Sequence, residues 1–382
     1  MENLNNILII IFILALILNY LFFYSKKTAI ETVNDMGIGY NLGKTFNIFD
    51  PENNNTQNYE IKIWGTILPT KKIINKIKKN GFKTIRFQII PNNSMDNSGK
   101  INSEWITRIK EIIDWILNSN MYCILSIYYE GNYWRRKNIS YEYINFWTQI
   151  ANELKNFNEH LILESMNEYN YEFLYQYNTE IKEDLYYDYK SYWDNLFNST
   201  QDFIYIIRNS GGLNKDRLLV IPGILTEVEI NTYYFSITEM PIDPSNKLAI
   251  SLNYYFPSQT YQNFSNTPIM WYNKYGLYYS TEFISNWGTN EDYRIIIKYF
   301  DYFKNNYISK GIPIIIGQAG IITKKENNAN SFREFLYVLF SFSSEINGIM
   351  SCLWDISEKI EGDTIIIKKK IYGEMNKLKK IL

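Results

Sequence analysis

Short apolar runs alternate with longer segments of helical period along this chain from Asp35 onward. Runs rich in β-branched and aromatic residues predict strands, and apolar positions three and four residues apart predict amphipathic helices. Eight strands are predicted, at Gly37–Asn41, Thr84–Ile90, Tyr122–Tyr128, Leu161–Met166, Leu218–Pro222, Leu248–Tyr254, Pro313–Gly317 and Gly348–Trp354. Helices are predicted between most of them, at Glu104–Asn118, Tyr141–Asn156, Tyr187–Arg208, Glu291–Ser309 and Ser331–Ser344.

Strands that alternate with helices imply a parallel sheet, because a parallel connection needs a long crossover. Eight such units in about 350 residues predict an α/β fold with one closed (β/α)₈ TIM barrel, over residues 35–382. The link between the fifth and sixth strands has little helical pattern, and an aromatic-rich loop follows the sixth strand. In such barrels the active site lies where the strands end, so polar residues at those ends are the candidates for a site.

An almost uncharged apolar run, Ile7 to Tyr24, precedes the predicted barrel and is followed by Lys26 and Lys27. Its 18 residues exceed the roughly 7–15 of a signal-peptide hydrophobic region and reach the lower limit of a spanning helix. No small-x-small cleavage site follows it. Residues 1–28 are therefore predicted to be a signal anchor or signal peptide, with the anchor favoured.

This membrane segment, residues 7–24, predicts a protein of the secretory pathway that is membrane-anchored or extracellular. The lysines after it favour a different location, because the positive-inside rule alone would place the barrel in the cytosol. The sequence leaves the topology open.

The amino-acid composition limits the kinds of functional site that the chain could form. The 382 residues include 39 Lys and Arg, 40 Asp and Glu, 2 Cys and 1 His. A near-neutral chain lacks the basic surplus of a general nucleic-acid binder. So few cysteines and histidines exclude a four-thiolate zinc site and a multi-histidine metal centre. The sequence thus predicts no metal, no cofactor and no nucleic-acid partner, leaves the oligomeric state open, and points to carboxylates for any catalysis.

Two minor residue types are predicted to be structural. His160 stands just before the fourth predicted strand, at the end of the barrel away from the chemistry, and is predicted to be a surface or capping residue. Cys123 and Cys352 fall on strands that are not neighbours in the barrel order, which predicts free buried thiols.

The segment LILESMNEYN, Leu161–Asn170, ends the fourth predicted strand. Glu168 at that position suits a general acid that protonates a leaving oxygen, while Asn167 holds a neighbouring hydroxyl. The alternative is a structural glutamate that caps a helix or pairs with an arginine. Strict strand alternation places Glu164, Met166 and Glu168 on one face and Asn167 on the other.

Seven segments in order resemble the motifs of glycoside hydrolase family 5, the cellulase-type retaining β-glycosidases. They are GYNLGKTF (Gly39–Phe46), GFKTIRF (Gly81–Phe87), MNE (Met166–Glu168), IRNSGGLNKDRLLVIPG (Ile207–Gly223), SLNYYFP (Ser251–Pro257), IPIIIGQAG (Ile312–Gly320) and GIMSCLWD (Gly348–Asp355). The resemblance covers most of the chain after the apolar run. It implies a TIM barrel whose cleft binds a β-linked polysaccharide or oligosaccharide.

The resemblance also assigns the site. It implies Glu168 as acid/base, and Gln318 stands where the family has its nucleophilic glutamate. The predicted substrate-binding residues are Asn41, Arg86, Tyr128, Asn167, Asn253, Tyr255 and Trp354, with Trp134 as an aromatic platform in the loop after the third strand. The alternative role for Trp134 is to pin its loop to the barrel.

The departures from the family pattern bear on activity. A retaining glycosidase needs two carboxyl groups about 5–5.5 Å apart, one to attack the anomeric carbon and one to protonate the leaving group. The carboxamide of Gln318 has a similar shape but carries no charge and is a poor nucleophile. Tyr128 and Asn253 replace cleft histidines, Tyr169 replaces a proline, and Lys44 replaces an asparagine. These changes predict a catalytically impaired homologue that still binds β-linked polysaccharide.

Two other functions stay open. The first is an active O-glycosyl hydrolase of the endo-β-glucanase class that uses Glu168 with a relocated carboxylate, such as Glu130 or Glu282, or with a substrate-derived group. The second is a membrane-tethered structural or interaction barrel without a sugar ligand. A related expectation concerns Arg86, which without a nucleophilic carboxylate needs Glu164 or Glu168 as its partner.

Overall fold

The computed structural model describes residues 12, 26–46, 69–89, 91, 95–96, 98–128, 141–167, 185–233, 240–254, 290–319 and 329–354. Within them, eight parallel strands close into a barrel in chain order. The strands are β1 (Gly39–Phe46), β2 (Thr84–Ile89), β3 (Tyr122–Tyr128), β4 (Leu161–Asn167), β5 (Leu219–Glu227), β6 (Leu248–Tyr254), β7 (Ile314–Ala319) and β8 (Ile349–Leu353). The predicted barrel is confirmed, whereas the predicted domain bounds stay predictions.

Helices follow most strands. They are α1 (Ala29–Met36), α2 (Lys71–Lys79), α3 (Ser103–Asn118), α4 (Tyr141–Leu154), α5 (Leu185–Asn209), α6 (Val228–Tyr233), α7 (Asn290–Asn306) and α8 (Ala329–Glu345). The five predicted helices correspond to α3, α4, α5, α7 and α8. The sequence interpretation missed α1 and α2, and the link between β5 and β6 contains only the short α6 in its described part.

Helix α1 closes the amino-terminal end of the barrel. Thr28 caps it, because its hydroxyl accepts a hydrogen bond from the Glu31 backbone while the Glu31 carboxylate accepts one from the Thr28 backbone. Val33 and Met36 are fully buried among inward-facing residues of the strands, including Ile124. At the same end, the Gly348 backbone N–H donates a hydrogen bond to Oδ1 of Asn34, a residue of α1, at 2.6 Å. The opposite end therefore holds the cleft.

Two buried arginines stabilise the end of α5 and the segment that leads from it to β5. Arg208 donates two hydrogen bonds to the Asp243 carboxylate, at 2.7 and 2.8 Å. Arg217 donates to the backbone carbonyls of Asn158 and Leu161 before and within β4. Burial, together with the nearby Arg208, lowers the pKa of Arg217 to about 10. Arg208 and Arg217 thus support the fold, away from the cleft.

The prediction of free buried thiols is confirmed, and His160 lies at the predicted end of the barrel but is partly buried. Cys123 and Cys352 are buried and free, and burial raises the pKa of the Cys352 thiol to about 12. His160 stacks on Tyr122 with ring centroids 4.1 Å apart, just before β4 at the amino-terminal end of the barrel. The described part of the chain contains no helix long and apolar enough to cross a membrane. The predicted segment 7–24 lies outside the described residues, except for its residue 12.

Candidate active site

A fully buried ion pair occupies the interior of the barrel below the cleft. Arg86 on β2 donates from Nε and Nη2 to the two carboxylate oxygens of Glu164 on β4, both at 2.7 Å, and neither side chain is exposed. Desolvating two charges costs several kcal/mol per ion, so burial requires this two-bond geometry. The expected partner of Arg86 is thus Glu164.

The rest of the Arg86 guanidinium connects neighbouring strands. Nη1 donates to Asn41 Oδ1 at 3.2 Å on β1, and Nη2 donates to Ser126 Oγ on β3 and to Asn167 Oδ1 on β4, each at 3.1 Å. Asn41 in turn donates from Nδ2 to the backbone carbonyl of Gly317 on β7 at 2.8 Å. The predicted residues Asn41, Arg86 and Asn167 therefore form one hydrogen-bonded cluster.

Asn167 faces the barrel interior with Glu164, which corrects the placement expected from strict alternation. Ser126 pairs with Glu164, but two residues later Tyr128 pairs with Asn167, so β4 contains one extra residue. Such a bulge shifts the alternation of side chains. Met166 accordingly packs in the outer core between strands and helices, and the amide of Asn167 reaches Arg86.

Gln318 lies near the carboxyl end of β7 and is 3% exposed. The preceding residue must be small: a Cβ on Gly317 would lie 2.8 Å from Ser251 Oγ and 3.2 Å from Arg86 Cζ. The absent side chain lets the guanidinium approach the β7 backbone closely. Across the β6–β7 pair, Gln318 is in register with Asn253, so the two amide residues are neighbours at the cleft end of the sheet.

Thr226 is a functional-site candidate that the sequence interpretation missed. Its Oγ1 accepts a hydrogen bond from Asn253 Nδ2 at 3.2 Å, and it is 1% exposed. Its φ of 54° lies in the left-handed region, which is rare for a β-branched residue. The β5–β6 register shifts between Pro222 and Glu227, around this residue. Strain of this kind concentrates at functional sites, and no sequence signal marks it here.

Several buried polar atoms of this region have no hydrogen-bond partner within the described part of the chain. They are Asn167 Nδ2, Ser251 Oγ and both amide atoms of Gln88. Gln88 lies on β2, two residues beyond Arg86 toward the cleft. A buried polar group without a partner costs about 1–3 kcal/mol. Polar groups of this kind are more typical of a site in which a ligand or water supplies the missing hydrogen bonds than of a core held by apolar packing.

The other predicted site residues divide by location. Trp354 follows β8 directly, is half-buried, and donates its backbone N–H to the Ala319 carbonyl at 2.9 Å. Tyr128 is the last residue of β3. Glu168, Tyr255 and Trp134 lie outside the described residues, as do Glu130 and Glu282. The roles assigned to all these residues stay predictions.

Known proteins are similar to this chain in sequence and in fold. The family profile described as Cellulase (glycosyl hydrolase family 5) matches residues 43–360. Endoglucanase A of Clostridium longisporum is 28% identical over 356 residues, which are 89% of this chain and 62% of that protein. The chain thus spans less than two thirds of that relative.

Two solved structures are similar along nearly the whole chain. A "GH5-4 broad specificity endoglucanase" from an uncultured bovine rumen ciliate is 35% identical with a TM-score of 0.73, covering 91% of this chain and 99% of that one. A glycoside hydrolase 5 lichenase from a Caldicellulosiruptor species, a Glu-to-Gln mutant in complex with cellotetraose, is 27% identical with a TM-score of 0.74, covering 92% and 95%. The chain therefore belongs to glycosyl hydrolase family 5, the cellulase family.

Proposed function

We propose that this family 5 protein binds a β-linked glucan in the cleft at the carboxyl ends of its strands and has lost the covalent step of retaining hydrolysis. The observation that carries the proposal is the neutral Gln318 near the end of β7, within the segment that resembles the nucleophile motif. The covalent step needs an ionised carboxylate at the anomeric carbon. A carboxamide keeps the shape, but it carries no charge, its NH2 group donates where a carboxylate oxygen would accept, and it does not attack.

The buried ion pair explains how the barrel accepts a neutral residue at this position. The Glu164 carboxylate compensates the charge of Arg86 with two hydrogen bonds at 2.7 Å. The cation therefore does not depend on a carboxylate at position 318 for its stability in the interior. Because both Glu164 oxygens already bind Arg86, this carboxylate is a poor substitute for the missing nucleophile.

Retained polar groups support glucan binding. Asn167 Oδ1 is fixed by Arg86 at 3.1 Å, while its Nδ2 is buried with no partner in the described residues, so it is oriented to donate to a ligand. A similar family 5 barrel with a Glu-to-Gln change was solved with cellotetraose. That precedent supports cellotetraose as the probe. A polymeric ligand and the apolar segment 7–24 together support a location in the secretory pathway, membrane-anchored or extracellular.

Calorimetric titration with cellotetraose tests binding. Wild type should bind, and Asn167→Ala should weaken binding about tenfold, because it removes one buried hydrogen bond worth about 1.4 kcal/mol. The matched control is Asn152→Ala, a surface amide on α4 that should bind like wild type. If wild type binds no β-linked oligosaccharide, the proposal fails and the structural or interaction barrel becomes the better interpretation.

Hydrolysis of soluble β-glucan tests the loss of chemistry. Wild type and Gln318→Ala should both release no reducing sugar above background, since neither has a nucleophile at position 318. A wild-type rate that Glu168→Gln abolishes would instead establish the active hydrolase with a relocated or substrate-derived partner.

A further inference from the structure

Strand β5 leaves its partner strand β6 near the cleft end of the barrel and then rejoins it. Pro222 pairs with Ser251, and the next pair is Glu227 with Asn253. Five residue steps on β5 therefore match two steps on β6, and the extra residues bulge from the sheet between the two pairs. We call residues 223–226 the β5 bulge.

A side chain of α6 holds the β5 bulge. Asn231 Oδ1 accepts a hydrogen bond from the Ile224 N–H, and Asn231 Nδ2 donates one to the Ile224 carbonyl, both at 2.8 Å. The amide thus takes the place of a partner strand for Ile224. A Cβ on Gly223 would collide with Asn231 Oδ1, so this close approach requires glycine. The backbone of the bulge is therefore fixed by α6, which Tyr307 supports by donating to the Asn231 carbonyl at 3.3 Å.

Thr226, the last residue of the bulge, has a backbone conformation that is costly for its residue type. Its φ is 54°, in the left-handed region that β-branched residues rarely adopt. A residue in this region persists only where the surrounding structure determines its conformation. Glycine would adopt the same φ without strain, but it would supply no hydroxyl group. The presence of threonine therefore indicates a role for its hydroxyl group.

The Thr226 hydroxyl group fixes the amide of Asn253. Asn253 Nδ2 donates to Thr226 Oγ1 at 3.2 Å, and both side chains are buried. An asparagine amide has a donor edge and an acceptor edge, which exchange places when the group turns by half a rotation. The hydrogen bond to Thr226 places the donor edge toward β5. Because Asn253 is in register with Gln318 on β7, the orientation of its amide sets the pattern of donors and acceptors beside Gln318.

We propose that Thr226 is a positioning residue of the glucan cleft, which holds Asn253 so that its acceptor edge meets a sugar hydroxyl group beside Gln318. Asn231 supports this role by holding the bulge that carries Thr226. The inference rests on the proposed function, because it concerns the same glucan site, and it adds how that site selects its ligand. A ligand without a hydroxyl group at that position should bind less tightly, because the buried carbonyl oxygen of Asn253 would then receive no hydrogen bond from it.

Calorimetric titration of the full chain with cellotetraose tests this role. Thr226→Val keeps the branched shape but removes the hydroxyl group, so Asn253 loses its fixed orientation and the affinity should fall about tenfold. Thr226→Ser keeps the hydroxyl group and should bind like wild type. Thr226→Ala removes the hydroxyl group without filling its space, and it should show the same loss where the valine variant does not fold.

Thr84→Val is the matched control. Thr84 is a buried threonine on β2 whose hydroxyl group donates to the Met36 carbonyl at 2.6 Å, at the amino-terminal end of the barrel. This variant loses a buried hydrogen bond of the same kind away from the cleft, so it should bind cellotetraose like wild type. A loss of affinity equal to that of Thr226→Val would refute the proposal, because it would reflect general destabilisation.

A double-mutant cycle tests whether Thr226 acts through Asn253. Asn253→Ala should weaken binding, and adding Thr226→Val should cause no further loss, whereas independent effects would add. Additive losses, or a Thr226→Val variant that binds like wild type, would overturn this inference and leave the proposed glucan binding intact. Absence of cellotetraose binding by wild type would overturn both.

Discussion

At the residue scale, the stability of the barrel depends on an ion pair that is fully buried. Arg86 and Glu164 are both fully buried and satisfy each other through two hydrogen bonds. Asn41, Ser126 and Asn167 also accept hydrogen bonds from the guanidinium group. In such a cluster, loss of one charge leaves the other without compensation in a medium of low polarity.

Glu164→Gln should therefore lower the free energy of unfolding by about 3–5 kcal/mol, because it strands the Arg86 charge. Urea denaturation followed by fluorescence measures the change. The matched control is Glu111→Gln on α3, which breaks an exposed pair with Arg108 and should cost less than about 1 kcal/mol. Equal costs for the two variants would contradict the role given to the buried pair.

A substitution of Gln88 should change the free energy of unfolding in the opposite direction. Both of its amide atoms are buried without a partner in the described residues, which costs about 1–3 kcal/mol. Gln88→Met keeps the length of the side chain and removes the polar group, so it should raise the free energy of unfolding by a similar amount. Urea denaturation in the absence of ligand measures this. A loss of stability would mean that an ordered water satisfies the amide.

The sequence could predict some of these residue positions but not others. Asn41, Arg86 and Gln318 lie within sequence motifs on predicted strands, so their places on β1, β2 and β7 were predictable. The inward turn of Asn167 was not, because a bulge in β4 shifts the alternation and depends on pairing with β3. Thr226 adopts its left-handed backbone without the glycine that usually marks one. Its conformation comes from tertiary context rather than local preference.

At the element scale, α5 is attached to the barrel through Arg208 and Asp243. Burial alone would raise the pKa of Asp243, but hydrogen bonds from Arg208 and from the backbone of Lys247 and Ser245 outweigh it, and the pKa ends below its usual value. A carboxyl group with a lowered pKa in the folded state stabilises the fold above its unfolded pKa of about 3.9. That stability is lost as the pH falls through the folded value.

Asp243→Asn should therefore be less stable than wild type at pH 7, and the difference should shrink as the pH falls below about 4. Thermal unfolding measured from pH 7 to pH 3 reports both effects. Asp202→Asn is the control, because burial raises the pKa of Asp202 and its contribution to the pH dependence has the opposite sign. Parallel pH profiles for wild type and Asp243→Asn would show that the ion pair does not fix α5.

The local sequence pattern is sufficient to predict the bounds of some elements but not of others. The predicted bounds of β3 and β6 agree with the structure at both ends, because both strands are short runs rich in apolar and aromatic residues. Strand β5 extends to Glu227, five residues past the predicted end, through a register shift that no local pattern marks. Helix α1 has 8 residues, too few turns for a helical period to be recognised, although its capping box is visible in the sequence.

At the scale of the whole molecule, the rhythm of strands and helices was enough to predict the barrel, but not what closes its amino-terminal end. Val33 and Met36 of α1 are fully buried against the inward-facing strand residues. Burying side chains of this size contributes about 1.5–3 kcal/mol each. Because a domain is stable by only about 5–15 kcal/mol, α1 should be part of the folding unit although it precedes the first strand.

Two truncations separate α1 from the segment before it. A chain of residues 37–382 lacks α1 and should melt at a much lower temperature than a chain of residues 26–382, because two large apolar side chains no longer cover the end of the barrel. Far-UV circular dichroism during heating measures both melting temperatures. The longer chain keeps the ion pair of Lys26 with Asp216 and all of α1, so it is the matched control for removing residues near the amino terminus.

If both truncated chains melt at the same temperature, α1 does not stabilise the barrel. If only the shorter chain is destabilised, the folding unit of the barrel includes α1, because Val33 and Met36 cover the inward-facing residues at its amino-terminal end.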